Sequence, residues 1–429
     1  MEQPAPLDAA PRATGRAVRL TPGQLFRLAE QAEVRGDSKT AARFLAVLAE
    51  NPDADIRAQA RYRRAKQLLG QGQPQPAAVL LRAILDEKPG ATNVRLHLAQ
   101  LRQQLGDADG ALRELRSAQA AGLPPHVARI VDRYSESIRA MRPSGFNFEI
   151  ALAPDSNINR ATRSDTLGTV IGEFEIDEDS KTKTGTGLSL RGHGYRRFEL
   201  PFQDTTLLAR VSGSSDLYKQ KAFNDLALDF TVGPELRLAR NRIAVEAGLT
   251  QRWFGQKPLL RSARLGASWS RPLGSRTHAR LTGSMSLVNN RLNDLQDGKA
   301  YTARLDLERA LSATIGVAGH IALDRQSMRD AAYSTHGRRA GLLVWTDLGR
   351  TTVTLGANLG RLDADERLAL FPARRADRYS SLNLGATFRQ FRVGGFAPVA
   401  RITVERNRST LEFHDYSRTR TEFGVVRAF

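Results

Sequence analysis

At Pro143-Ser144-Gly145 the spacing of apolar residues changes from about 3.6 to 2. A chain that makes this switch once reads as a helical part followed by an all-strand part. Beyond the switch, Phe146, Phe148, Ile150 and Leu152 alternate with Asn147, Glu149 and Ala151. Leu226, Leu228, Phe230 and Val232 alternate with Ala227, Asp229 and Thr231, and Leu382, Leu384, Ala386 and Phe388 with Asn383, Gly385 and Thr387. One apolar face and one polar or small face satisfy both a soluble sandwich and a membrane barrel. Connection lengths separate the two. Short links over 237–242, 271–277, 308–314 and 346–350 alternate with long charged ones over 155–183, 213–224, 289–299, 324–338, 361–378 and 406–419. Sorting by parity is the layout of an outer-membrane barrel, with turns on the periplasmic side and loops outside. About fourteen strands are expected from residue 146 to 429, and an even number returns both barrel ends to the periplasmic side.

The part before the switch repeats itself. Ala29, Gly36, Ala41 and Leu45 are followed by Ala65, Gly72, Ala77 and Leu81, and then by Ala99, Gly106, Ala111 and Leu115. A period near 34, with small residues where helices cross, Gly at the turn and Pro after each pair (Pro52, Pro89, Pro124), is the tetratricopeptide pattern. Alanine permits close helix approach, and glycine accepts a left-handed turn that a Cβ resists. The spacing predicts a helical solenoid over 21–142, with a last helix from Pro125 to Met141 closing the stack. Such arrays hold peptides in a concave groove. Phe26, Glu30, Tyr62, Lys66, Leu96 and Gln100 are the expected groove residues, and packing between repeats is the competing role for Phe26, Tyr62 and Leu96.

Composition narrows the function classes. Lys and Arg number 64 against 45 Asp and Glu, for a net charge of +19. The excess is shared, +7 in residues 1–143 and +12 in the rest. It suits either a lumen that attracts an acidic client or rims that meet lipid phosphates. No nucleic-acid motif accompanies it, so nucleic acid is not an expected partner. Cysteine is absent, which excludes disulfides and thiolate sites, and no metal, cofactor or phosphate-cradling motif is visible. No run of apolar residues reaches the length of a membrane helix. Residues 1–20 carry Ala, Pro and Arg without an apolar signal core, which predicts a flexible tail on a chain whose leader has been removed. His193, His278 and His320 lie in strands without a nucleophile pattern, and His414-Asp415 lies in a loop. No catalytic residue is assigned, and an enzyme is not expected.

Two features of the strand part carry further weight. Phe423, Val425 and Phe429 share one face of the last strand, with Arg427 interrupting the pattern. A terminal Phe after such a strand resembles the signal that hands bacterial barrels to their assembly machinery. Trp253-Phe254, Trp269, Trp345 and Tyr379 fall near strand ends, where girdle aromatics are expected. At the end of the first strand stands Asp155-Ser156-Asn157-Ile158-Asn159. Taken by itself it reads as an Asx-type turn, and at this position a gate or client contact is the alternative.

Repeats before a barrel of this size, together with that segment, resemble the surface lipoprotein assembly modulator (Slam) family, the outer-membrane component of type XI secretion. The likeness covers essentially the whole chain after its first twenty residues. It implies a translocon that carries surface lipoproteins or secreted binding proteins from periplasm to cell surface, embedded in outer-membrane lipid. An exopolysaccharide exporter is the alternative. Such exporters carry longer repeat arrays and an acidic or aromatic lumen, whereas this chain has three repeats and is basic.

Overall fold

The computed structural model describes residues 20–140, 144–391, 393 and 396–427. The expected tail before Leu20, Met141 and the terminal Phe429 lie outside the described residues. Seven helices come first: α1 (Pro22–Val34), α2 (Ser38–Leu48), α3 (Ala54–Gly70), α4 (Pro74–Glu87), α5 (Thr92–Gln104), α6 (Ala108–Ala120) and α7 (Pro125–Ala140). Their ends follow from local chemistry. Thr21 and Gln24 form a capping box at α1, with bonds of 3.3 Å and 2.8 Å. The aspartates of the Gly-Asp pairs, Asp37 and Asp107, accept from Thr40 N at 3.0 Å and Gly110 N at 2.9 Å, and so start α2 and α6. Gly36, Gly72 and Gly106 all take positive φ, between 70° and 81°. The repeating alanines and leucines of the sequence pattern are all buried.

The polypeptide forms two compact units, one ending at Gly72 and one beginning at Gln73. The first unit packs Phe26, Ala29, Leu45, Leu48 and Ala60. In the second, Ala99, Ala108, Ala111, Leu112, Leu115, Val131 and Ile138 form the helical core. Helices α4–α7 fall in the same compact unit as the strands.

Among the described residues sixteen strands follow: β1 (Ser144–Asp155), β2 (Thr166–Thr169), β3 (Gly172–Glu175), β4 (Gly185–Glu199), β5 (Thr205–Tyr218), β6 (Asp225–Leu238), β7 (Asn241–Phe254), β8 (Lys257–Pro272), β9 (Thr277–Asn290), β10 (Gly298–Ala310), β11 (Ile315–Met328), β12 (Thr335–Leu348), β13 (Thr351–Ala364), β14 (Ala376–Phe388), β15 (Phe396–Ser409) and β16 (Tyr416–Arg427). All but β2 and β3 close into one antiparallel barrel of fourteen strands, in which β1 pairs with both β4 and β16. Closure satisfies the backbone without leaving an edge, which hydrocarbon demands. Side chains such as Leu152, Leu228, Leu249, Ile321, Leu359 and Phe423 point outward and are exposed, giving an apolar belt. Their neighbours in sequence face the lumen.

That parity corrects two of the expected girdle positions. Leu342 is exposed on the outer face of β12, which sends Trp345 inward, where its ring covers Gly316. Leu359 is exposed on β13, and its neighbour Gly360, paired with Tyr379, puts that tyrosine on the lumen side. Trp269, paired with exposed Leu281, faces outward.

The expected long links are also shorter than the charge pattern implies. Strands run to Tyr218, Asn290, Met328, Ala364 and Ser409 before turning. Much of the charge lies on paired strand ends, where Arg339 holds Asp324 at 2.8 Å and Arg325 holds Asp365 at 2.6 Å across the rim. On that rim β7 and β8 are joined by Gly255-Gln256 alone, whereas 156–184 forms a long loop containing the β2–β3 hairpin. The hairpin region leans on neighbouring loops through Gly168 N to Glu412 Oε2 at 2.7 Å and Val170 N to Leu370 O at 3.0 Å.

Gly106 has open space where a Cβ would sit, so only its positive φ resists substitution. Gly106→Ala is expected to destabilise the helices by about 1 kcal/mol and leave the barrel's heat-resistant gel mobility unchanged, as read by denaturant titration with gel mobility in parallel.

Candidate functional site

Helices α4 and α6 carry a row of buried charges that meets the barrel at its short-turn end. Glu114 of α6 accepts from Arg82 of α4 at 3.0 Å and from Arg95 of α5 at 2.6 Å, with Arg102 3.5 Å away. Arg102 also reaches Asp107 at 2.7 Å. Arg82 continues to Asp347 at the end of β12, at 2.5 Å, and to Asp86 at 3.3 Å. Arg389, after β14, closes the ring, bonding Asp347 at 2.7 Å and Asp86 at 2.9 Å. Four arginines thus meet four carboxylates. Two more ties lie nearby: Arg116 pairs with Glu308 of β10, and Arg276 donates to Gln119 O at 3.0 Å.

A buried carboxylate survives only where charges and donors surround it. Burial pushes the Glu114 carboxyl up, yet Arg82, Arg102 and Arg95 outweigh this and hold it below the usual range. Arg102, by contrast, is pulled down by burial. With the folded Glu114 pKa depressed, its contribution is complete above the unfolded value near 4.5 and is lost as pH falls through the lower folded value.

None of these charges was expected from the sequence, although a signal exists. Arg95, Leu98, Ala99 and Arg102 follow the spacing of one helix stripe and all are buried, so two arginines stand where apolar residues would. The expected groove residues are distributed otherwise. Phe26, at 9% exposure, sits in the first unit's core with Arg63 over its ring at 4.9 Å. Glu30 is exposed and 3.6 Å from Arg63, Tyr62 is half-buried, and Lys66 is exposed. In the second unit Leu96 packs on the helical core and Gln100 is exposed.

The Asp155–Asn159 segment lies at the β1–β16 closure. Asp155 faces inward, gripped by Arg418 Nε at 3.0 and 2.9 Å and approached by Tyr218 Oη at 3.3 Å. Asn157 N donates to Asp155 Oδ1 at 2.9 Å, the Asx turn of the sequence reading. The Asn157 side chain, fully buried, donates to Ala161 O and Ser417 O at 2.9 and 3.0 Å. Ser156 Oγ accepts from Thr419 N at 2.8 Å, Ile158 is buried, and Asn159 donates to Lys181 O at 2.7 Å. The segment therefore ties the first strand, the last strand and the long loop together. Glu149, Arg401, Glu422 and Arg191 continue the ties along the inner wall at 2.6 to 3.0 Å.

Between α6 and the inner wall lies a chamber of about 1040 Å³, lined by ten arginines and five acids, with Tyr195 its one phenol or indole ring among the described residues. Arg197 pairs with Glu235 at 2.6 Å, Arg210 with Glu246 at 2.7 Å and Arg304 with Asp306 at 2.6 Å. Ser268, Ser270, Thr282 and Gly266 make up the rest of one side. Phe423 and Val425 face outward on β16 at 56% and 37% exposure. Among the described residues no set of His, Asp or Glu is placed to hold a metal, and no helix is long and apolar enough to cross a membrane.

Residues 145–429 match the family of the surface lipoprotein assembly modifier, and residues 68–133 match a tetratricopeptide repeat. No curated protein is similar to the chain. Solved barrels with a similar chain path include a bacterial polysaccharide outer membrane secretin, 13% identical, with a TM-score of 0.34 over 66% of this chain and 98% of its own. The toluene transporter TodX of Pseudomonas putida is 10% identical, with a TM-score of 0.35 over 68% and 91%. An anion-selective porin from Comamonas acidovorans is 11% identical, with a TM-score of 0.35 over 67% and 100%.

Glu114→Gln is expected to cost about 3 kcal/mol by stranding buried arginines, whereas loss of the exposed Glu30–Arg63 pair costs less than about 1 kcal/mol. Limited proteolysis in detergent should cut Glu114→Gln within α4–α7 while the barrel core stays resistant, and should leave Glu30→Gln as the parent.

Proposed function

The chain belongs to the surface lipoprotein assembly modifier family, and we propose that it carries client proteins, surface lipoproteins or secreted binding proteins, from the periplasm to the cell surface. In this reading the helices stand in the periplasm and engage the client, and the barrel is its route through the outer membrane. The observation that carries it is the buried ion network holding α4 and α6 to the short-turn mouth. A passive pore has no need of a binding module fixed over its entrance, whereas a translocon gains local concentration of client there.

The parts then take these roles. Glu30, Tyr62 and Lys66 of the first unit are client contacts, with charges of both signs on the helices that carry one aromatic anchor, and Gln100 of the second unit is a separate client contact. Leu96 and Phe26 support the helices rather than touch the client, in keeping with their packing. The Asp155–Asn159 segment keeps the barrel closed beside its outer loop. Lipids surround the apolar belt, and the outward Phe423 and Val425 belong to the strand that the assembly machinery receives. No catalytic step is assigned.

Surface labelling of a co-expressed lipoprotein client tests this. Lys66→Glu combined with Tyr62→Ala should lower display about fivefold at constant total client and constant folded barrel. Unchanged display after removal of residues 21–72, with the barrel assembled, would show that the first unit selects nothing. Orientation is checked by epitope tags: insertions within 329–334 and 365–375 should be reached by antibody on intact cells, and one within 273–276 should not. Equal labelling of the three would reverse or abolish the proposed topology.

A further inference from the structure

We infer that the chamber beneath α6 is a binding site for carboxylate-rich, extended polypeptide, so that the client passes through it by an acidic segment. This rests on the translocon reading and adds the chemistry of what is carried. The wall is unbalanced: ten arginines meet five acids, of which Glu235, Glu246, Asp306 and Glu308 are each already engaged by an arginine and Asp229 accepts from Thr250 Oγ1 at 2.6 Å. Arg264 and Arg280 on the inner wall and Arg113 on α6 also line it, and none makes an ion pair among the described residues. Arg237 lines the same wall, and its Nε is buried without an acceptor. Unengaged guanidinium groups on both the helix and the barrel side present forks that match carboxylates in two-bond geometry. Low-dielectric walls around them focus the field on whatever enters.

The remaining surface favours peptide over acidic glycan. Between the arginines the wall carries serine, threonine and glycine, and among the described residues Tyr195 is the one phenol or indole ring on which a sugar could stack. The site also lies against a tetratricopeptide helix, a module whose grooves take peptides. Binding through so many exposed guanidinium groups is strong at low salt and weak at high salt.

Fluorescence anisotropy of a labelled decaglutamate peptide, with the full chain in detergent micelles, reads the site directly. The parent should bind it, decalysine should not bind, and raising salt should release it. Arg113→Gln, Arg264→Gln and Arg280→Gln together should weaken binding about tenfold or more, and the three corresponding lysine substitutions should restore most of it, with heat-modified gel mobility confirming a folded barrel in each. Failure of the parent to bind, equal binding by the glutamine variant, or displacement by oligogalacturonate more effectively than by unlabelled decaglutamate would overturn the proposal. Client display in cells is measured separately. Client display by the full chain without any decaglutamate binding removes only the chamber's role, whereas binding with no client display removes the translocon reading and leaves the anionic site.

Discussion

Hydrocarbon offers no partner to an open strand edge, so everything in the second half of this chain depends on β16 finding β1. Among the described residues that junction has five paired positions between β1 and β16, against twelve between β1 and β4. Pro154 supplies no N–H, and the pairing passes over it from Leu152 to Asp155. What backbone does not hold, side chains do. Arg418 on Asp155, Ser156 on Thr419 and Asn157 on Ser417 link the two strands from inside, and the Glu149–Arg401–Glu422–Arg191 chain continues toward the short-turn end. Arginine suits this task because its fork engages two carboxylate oxygens at once and stays charged in a partly dry interior.

The same chemistry joins helices to strands. Asp155, Arg418 and Glu422 at the seam are buried, and so are Arg82, Glu114, Arg95 and Arg102 in the helices. Their stability comes from matched numbers rather than from any one strong contact, since each removed partner leaves a charge without solvent. Hydrophobic packing could have fixed α4–α7 to one another. A matched set of charges fixes them to a specific place on the turns, where Asp347 meets Arg82 and Arg389 meets Asp86. Position on the mouth is thus specified by electrostatics and the helical core by alanine and leucine.

This division explains what could be read from the sequence. The Ala-Gly-Ala-Leu grid needed only a period, and each member lies where the period puts it. Strand alternation was equally legible, as was closure by an even count. Trp345 and Tyr379 were misplaced because proximity to a strand end was used without parity, although exposed Leu342 and Leu359 already set their faces. The loops were drawn too long because charge was taken as a mark of loop, whereas Arg and Asp here pair along strands that extend beyond the apolar belt. The buried arginines were hidden for the same reason. A charge on a helix is ordinarily solvent-facing, and its partner Glu114 lies 32 residues from Arg82, while Asp347 lies 265 away. The Asx turn at Asp155 was local and visible, whereas its grip on Arg418, 263 residues on, was not.

The unequal connections on the rim opposite the short turns give the barrel two unlike sides. Over β13–β16 the hairpin of the long loop rests on its neighbours, while β7 and β8 meet in a turn of two residues. The rim is therefore built up where the long loop leans on the β13–β14 and β15–β16 connections and low at the β7–β8 turn, so the hairpin can shift only after its bonds to Glu412 and Leu370 have broken.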